Sequence, residues 1–267
     1  MISPEMRKYP RTAHVRGSRF QHGDHDLEAV PWDDLRGVRL VLEEKMDGAN
    51  AGISFDEDGK LLIQSRGHYL RGGPREKHFD LLKTWANARQ SELRQLLGTR
   101  YIMYGEWMYA KHTMFYDALP HYFMEFDVLD TETDKFLSTP ARDKLLRFAS
   151  DVAYPVKVLG VGEFEHLKDL SDYIHRSHFV TTERILNFNN ACEAAGVVAA
   201  EAWGHTDHSE LMEGLYIKWE DADHVLGRYK FVRSSFTNSI MDQEEHWLNR
   251  PIVPNRLIDG AYDTMFG

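Results

Sequence analysis

The sequence predicts an α+β fold: antiparallel sheets flanked by helices, with a helical insertion near residues 139–200. Three observations carry this. Strand-like apolar runs cluster before residue 130 and return after residue 213. The stretch between is rich in helical spacing and acidic side chains. Asp-Gly pairs at 47–48 and 58–59 supply tight turns between the first strands. Strands on both sides of the insertion must share a sheet system. Residues 1–233 are therefore expected to form one domain, and 234–267 a short helical extension.

Each element has a local reason. Residues 1–37 mix Pro, Gly, His and Arg and read as an irregular entry segment. Arg39–Lys45, Ala51–Phe55 and Lys60–Ser65 read as strands joined by the two Asp-Gly turns. Over 78–97, Phe79, Leu82, Trp85, Ala86, Leu93, Leu96 and Leu97 recur at three- and four-residue spacings, and Gly98 is a stop. Tyr101–Trp107 and Tyr122–Leu129 are aromatic-rich strands, and 130–134 is a turn leading to Phe136-Leu137. Thr139-Pro140 provides a cap and a first-turn proline for a helix to about Ala149. Residues 163–195 read as mostly helical. Gly214–Trp219 and Arg228–Val232 are strands, and the tail beyond 234 reads as helical, then irregular.

The 267 residues are 42% hydrophobic and 28% charged, which excludes a disordered chain. The formal charge of -10 argues against a nonspecific polyanion binder. That charge is unevenly spread. Residues 60–111 carry a local +6, residues 117–224 a local -12, and residues 1–20 hold five basic side chains and one acid. Either a basic working face stands on an acidic protein, or acidic helices merely keep the chain soluble. The single cysteine, Cys192, rules out an intramolecular disulfide, fits a reducing cytoplasm and reads as a buried structural thiol. No run of about 18 apolar residues suggests a membrane span, and the first residues have no apolar signal core.

The chemistry concentrates where charged groups interrupt apolar strands. Glu44-Lys45-Met46-Asp47-Gly48 ends a strand, with Asn50 close behind. Ser65-Arg66-Gly67, Gly105-Glu106, Phe126-Asp127, Glu213-Gly214 through Lys218, and Arg228-Tyr229-Lys230 follow in order. A lysine before an Asp-Gly turn is by itself an ordinary surface feature, and plain strands would alternate apolar and polar residues. The ordered set is more specific. It resembles the six segments of covalent nucleotidyltransferases, the ATP-dependent polynucleotide ligases and mRNA capping enzymes. It is most similar to the RNA ligase 2 branch, as are Asn50, the stretch Gly105–His112, and Tyr116-Asp117, Leu119-Pro120 and Tyr122-Phe123. The resemblance spans about residues 9–233, and its leader Tyr9–Arg19 is either a phosphate-binding loop or a flexible basic arm.

What the resemblance implies is a nucleotidyltransferase (ATP-grasp-like) domain without an OB-fold. Its activity would be ATP-dependent joining of RNA 5′-phosphate and 3′-hydroxyl ends through lysyl-AMP and RNA-adenylate intermediates, in RNA repair. Lys45 would be the nucleophile. An ammonium cannot attack phosphorus, so Lys45 needs a depressed pKa or metal-assisted deprotonation; Lys218, Arg228 and Lys230 would supply neighbouring cations. Arg66 would clamp a phosphate, Glu106 would accept from the ribose, and Phe126 would stack on the adenine. Glu44 would accept from the adenine amino group. Lys218 and Lys230 would bind the α-phosphate with Arg228 beside them. Glu213 would hold metal-bound water (Mg2+ or Mn2+) or contact Lys45. Asp47 and Asn50 either orient the lysine loop and the phosphate or are turn residues.

Arg228 departs from the family's usual K-x-K, so it suits RNA more than ATP, and Arg233 is a second candidate there. His22/His25 and His205/His208 have a weak H-x-x-H form that solvated loops explain better than zinc, and His112 reads as a core or surface side chain. DNA ligases, GTP-dependent capping enzymes and inactive end-binding proteins share these motifs. The first two usually carry an OB-fold, and 34 residues after Arg233 fall short of the ~70 that a five-stranded barrel needs. The partners implied are RNA ends and an end-healing kinase–phosphatase, bound in a salt-sensitive way by a basic cleft.

Overall fold

Why Lys45 stands at a boundary is clear from the chain path. The computed structural model describes residues 5–19, 29–149, 152–236 and 251–267. Its strands are β1 (Ala13–His14), β2 (Leu40–Lys45), β3 (Ala49–Phe55), β4 (Leu61–Ser65), β5 (Tyr101–Trp107), β6 (Phe123–Asp130), β7 (Lys135–Phe136), β8 (Tyr154–Pro155), β9 (Val158–Gly162), β10 (Gly214–Glu220) and β11 (Val225–Val232). Its helices are α1 (Asp80–Ala88), α2 (Gln90–Leu97), α3 (Thr139–Leu146), α4 (Leu167–Ser171), α5 (Arg184–Ala195), α6 (Ala199–Gly204) and α7 (Ala261–Phe266).

One sheet has the order β1-β11-β10-β2-β9 and the other β4-β3-β5-β6-β7, with β8 also on β6. Pairing is antiparallel except for the two-residue contacts β1–β11 and β6–β8. The chain leaves the first sheet at Lys45 and enters the second at Ala49. The lysine motif is thus the crossover between sheets. Gly48 fits because a Cβ there would lie 2.6 Å from Met108 Sδ and 3.0 Å from the Trp107 carbonyl oxygen. Among the described residues there is no closed barrel.

The main core lies on the second sheet and its helices, around fully buried Trp85, Trp107, Phe123 and Tyr104. A second core, including Leu40, Leu42, Leu215, Ile217 and Leu170, covers one face of the first sheet. Strand alternation then turns Val41, Glu43 and Lys45 to the opposite face. A third cluster joins Cys192 to Phe115, Phe188 and Val253; burial pushes the thiol up, consistent with a structural cysteine.

Several elements depart from the sequence expectation. The helix over 78–97 breaks at Arg89, whose side chain instead donates to the carbonyls of Thr264 and Met265 and docks α7. Ser138, not Thr139, caps α3, accepting from the Ala141 N–H at 3.3 Å. The 139–200 stretch is not helical throughout: β9 pairs along β2 and covers what would be an open edge. In the tail, the described part 251–260 is irregular and α7 follows it, the reverse of the expected order; residues 237–250 lie outside the described residues. Ala261 and Met265 join the main core, so this tail is packed against the body.

Gly214 shows how tightly the first sheet is assembled. A Cβ there would meet the Phe231 carbonyl oxygen at 2.1 Å and Val232 Cα at 2.8 Å. Gly214→Ala must push β10 from β11 beside Glu213. We expect a loss of about 1–3 kcal/mol, read as a lower denaturation midpoint at unchanged slope.

Candidate active site

A cleft with roughly 670 Å³ of empty space, part of it open to solvent, is lined from both sheets. The first sheet contributes Glu44, Lys45, Tyr216 and Lys230. The second contributes Asn50, Glu106 and Phe126, with Arg66 just after β4. Tyr9, Pro10 and Thr12 of the entry segment complete the wall together with Met46 and Val156.

Register explains which cations reach the cleft. Across β2, β10 and β11, Lys45 lies opposite Gly214 and Val232. Glu43 lies opposite Tyr216 and Lys230, and Val41 opposite Lys218 and Arg228. Lys218 and Arg228 thus share the cleft-facing side but stand one row, roughly 7 Å, beyond Lys230. Neither lines the cleft. The Lys218 ammonium is fully buried and has three donors. It donates to the Phe126 carbonyl and to Glu43 Oε1 at 3.2 Å, and is ion-paired with Glu43 Oε2 and Asp127 Oδ1 at 3.0 Å each. The Arg228 guanidinium stacks 3.8 Å from the Phe136 ring centroid and 5.3 Å from that of Tyr9. Arg233 is also engaged elsewhere, 2.8 Å from Asp207. Lys218 and Arg228 thus share a face with Lys45 but stand apart from it along the sheet, off the cleft wall.

Around Lys45 the neighbours are carboxylates. Its Nζ donates to Glu213 Oε2 at 2.8 Å, and Glu213 is fully buried. Burial alone would lower the lysine, but Glu213, Glu106 and Asp47 outweigh it and hold Lys45 above the ordinary lysine value. Of the two routes expected for deprotonation, a pKa depressed by nearby cations or metal assistance, these neighbours do not supply the first: they favour the ammonium. Burial raises Glu213 as well, against the opposing pull of Lys45.

Burial pushes Glu106 up to about 8, with Glu213 and Asp47 adding to the shift. Its Oε2 and the Oδ1 of Asn50, opposite it in register, are buried without a hydrogen-bond partner among the described residues. Two adjacent buried oxygens of this kind are acceptors for an incoming donor. Because Glu106 is protonated more readily when folded than when unfolded, its contribution is destabilising as pH rises from about 4.5 toward 8. We expect Glu106→Gln to flatten that decline in thermal midpoint over pH 5–8, measured without nucleotide.

Asp47 and Glu44 are occupied by protein partners. Asp47 Oδ2 accepts from the Thr113 and Met114 N–H groups at 2.7 and 2.6 Å, tying the loop after β5 to the crossover. Glu44 borders the cleft, but its carboxylate accepts from Ser177 Oγ at 2.5 Å and the His178 N–H at 3.3 Å, and lies 3.0 Å from His178 Nδ1. Arg66 is exposed at the rim. His112 lies off the cleft, held neutral by burial and by neighbouring His78 and Lys111, at about 3. His208 stacks on Trp203, and His22 and His25 lie outside the described residues. No group of three or more His, Cys, Asp or Glu among the described residues could by itself hold a metal ion.

Sequence reasoning missed Tyr9 and Tyr216 as wall residues and Arg142 as a support. The entry segment straps the two sheets together. The Arg7 carbonyl accepts from Gln64 Nε2 and Tyr104 Oη at 2.8 Å each, while Ala13 and His14 pair with β11. Between those anchors Tyr9 donates to Asp127 at 2.5 Å and packs edge-on against Phe126, centroids 5.0 Å apart. The only local signal was the arginine-rich leader itself.

Comparisons with known proteins agree with this picture. No curated protein matches. Among solved structures, Naegleria gruberi RNA ligase with PPi superposes with a TM-score of 0.56 at 16% identity, covering 89% of this chain and 59% of that one. A mutant of the same ligase with AMP and Mn gives 0.52 at 15% identity, covering 86% and 57%. The chain thus spans under two thirds of their length, and the likeness is one of fold. The family model described as RNA ligase matches residues 38–232, from the strand that ends at Lys45 to the strand that bears Lys230. On that match the chain belongs to the RNA ligase family.

Proposed function

We propose that this chain is an ATP-dependent ligase that joins RNA 5′-phosphate and 3′-hydroxyl ends through lysyl-AMP and RNA-adenylate intermediates, in RNA repair. The observation that carries the reading is the placement of Lys45. Its amine stands in the wall of a cleft lined from both sheets, 2.8 Å from a buried carboxylate, with acceptors at Glu106 and Asn50 that have no hydrogen-bond partner among the described residues.

In this reading the adenine meets Phe126 and the ribose hydroxyls donate to Glu106. Arg66 at the rim and Lys230 within the cleft hold the phosphates. Glu213 Oε2 takes the proton that Lys45 must lose. The freed amine attacks the α-phosphorus, a P–N bond forms, and pyrophosphate leaves with the electrons of the broken P–O bond. The RNA 5′-phosphate then displaces AMP from Lys45, and the 3′-hydroxyl displaces AMP from the RNA. The carboxylate oxygens of Glu213 and Glu106 suit a hard divalent cation, Mg2+ or Mn2+, which when bound would neutralise phosphate charge and favour the neutral lysine. Asp47 acts by fixing the crossover loop, and Lys218 and Arg228 by supporting the cleft from behind. An end-healing kinase–phosphatase would supply the 5′-phosphate and 3′-hydroxyl termini. Residues 1–233 would form the adenylation domain and 234–267 a short extension, of which α7 packs on the main core.

A panel of RNA and DNA nicks, splints and single strands tests the reading. Sealing of RNA nicks bearing 5′-phosphate and 3′-hydroxyl, and none of nicks bearing 5′-hydroxyl, is the expected outcome. Equal sealing of both, or sealing of neither, would contradict it.

A further inference from the structure

Phe126 is placed in the cleft by an irregularity in β6. Between β5 and β6 the register runs Tyr104 to Asp127 and then Gly105 to Glu125, so Phe126 is an extra residue with no partner on β5. Such a bulge re-aims a side chain and breaks the ladder locally. It also leaves a buried carbonyl that needs donors from elsewhere. Here two cations supply them: Arg142 Nη1 from α3 and Lys218 Nζ from β10 both donate to the Phe126 carbonyl oxygen. A carbonyl has two lone pairs, and both are used.

The same two cations reach back to the strand of the nucleophile. Arg142 Nη2 donates to Glu43 at 2.6 Å, and Lys218 lies 3.0 Å from the same carboxylate. Glu43 is two residues before Lys45 on the same face of β2. All three side chains are fully buried, so Arg142 and Lys218 do not touch solvent. They form a bridge from the Phe126 backbone to β2.

We infer that Arg142 and Lys218 are positioning residues for nucleotide binding, fixing the Phe126 ring relative to Lys45 by holding the carbonyl of the bulge. This rests on the reading of Phe126 as the surface that meets the adenine. α3 is itself held in place: the Thr139 N–H and hydroxyl donate to Glu220 at 2.9 and 2.8 Å, at the end of β10. Charge alone is not the requirement. Arg142 contacts Phe126, Glu43 and Glu125 through three different nitrogens, a fork that a lysine lacks.

The test uses Arg142→Lys and Lys218→Arg, which keep the charge and change the donor geometry. Each is made in the wild type and in Phe126→Ala. The KM for ATP and the rate of lysyl-AMP formation are measured beside the thermal midpoint. In the wild type, KM should rise about tenfold with kcat changed less than about twofold; on Phe126→Ala the same change should add less than about twofold. Equal effects in both backgrounds, effects on kcat alone, or failure of both variants to fold would overturn the assignment. Failure of the unsubstituted protein to bind ATP would instead overturn the ligase reading, and this inference with it.

Discussion

Lys45→Met should abolish the covalent nucleotide label, with adenylylation falling at least about 10³-fold, while ATP still binds noncovalently. Neither neighbouring amine of the motif set replaces it: Lys218 is buried off the cleft, held by the Phe126 carbonyl, Glu43 and Asp127, and Lys230 stands one row further along the sheet. The same substitution has a second consequence. Glu213 is fully buried and would lose the ammonium that faces it at 2.8 Å. Breaking a buried ion pair of this kind costs roughly 3 kcal/mol, so the thermal midpoint at pH 7 should fall. Lys45→Met combined with Glu213→Gln should recover most of that loss without recovering the label. A lysine held above its ordinary value contributes stability that is present at neutral pH and disappears only as pH rises through its folded value. The destabilisation should therefore be full at pH 7.

Lys218→Met should be the most damaging change to the fold among the charged motif residues. It leaves Glu43 and Asp127 without that ammonium and takes one donor from the Phe126 carbonyl, all in a fully buried cluster. A loss of about 3–5 kcal/mol follows, a fall on the order of 10 °C for a chain of this size. Arg66→Ala offers the contrast. Its side chain is exposed at the rim, so stability should stay within about 0.5 kcal/mol while ATP-dependent labelling slows. Two motif cations of equal standing in the sequence are thus expected to fail in opposite ways. Differential calorimetry and the labelling rate, measured on both variants, distinguish them. In the same buried cluster, burial pushes Glu125 up to about 7, against the opposing pull of Arg142 and Lys218.

Which parts were legible in the sequence follows from how local their causes are. The strand ending at Lys45, the turn at Asp58-Gly59 and the strand Tyr101–Trp107 depend on alternation and turn chemistry within a few residues, and they stand where the sequence puts them. Lys45, Arg66, Glu106, Phe126 and Lys230 do reach one cleft, because each sits on or just after a strand of the ordered motif set. Lys218 and Arg228 do not, because their neighbours are set by register between β2, β10 and β11 and by a bulge in β6. None of these can be read from spacing along one strand. β9 was hidden in a helix-rich stretch because its partner, β2, lies more than a hundred residues earlier. Tyr9 reaches the site only because the entry segment is anchored at both sheets. The surroundings of Lys45 were not legible for the same reason: the motif set contains Glu213, Glu106 and Asp47 as well as the cations, but only the folded chain shows that the carboxylates, and not Lys218 or Arg228, face the amine.

Lys45, Arg66 and Lys230 line the cleft together with Glu44 and Glu106, in a protein whose formal charge is -10. The most direct measurement is incubation of the purified protein with labelled ATP or GTP and a divalent cation, followed by a denaturing gel and mapping of the labelled peptide. AMP on Lys45, formed from ATP and not from GTP, is the expected result. No covalent label, a label from GTP alone, or AMP on any other residue would contradict it.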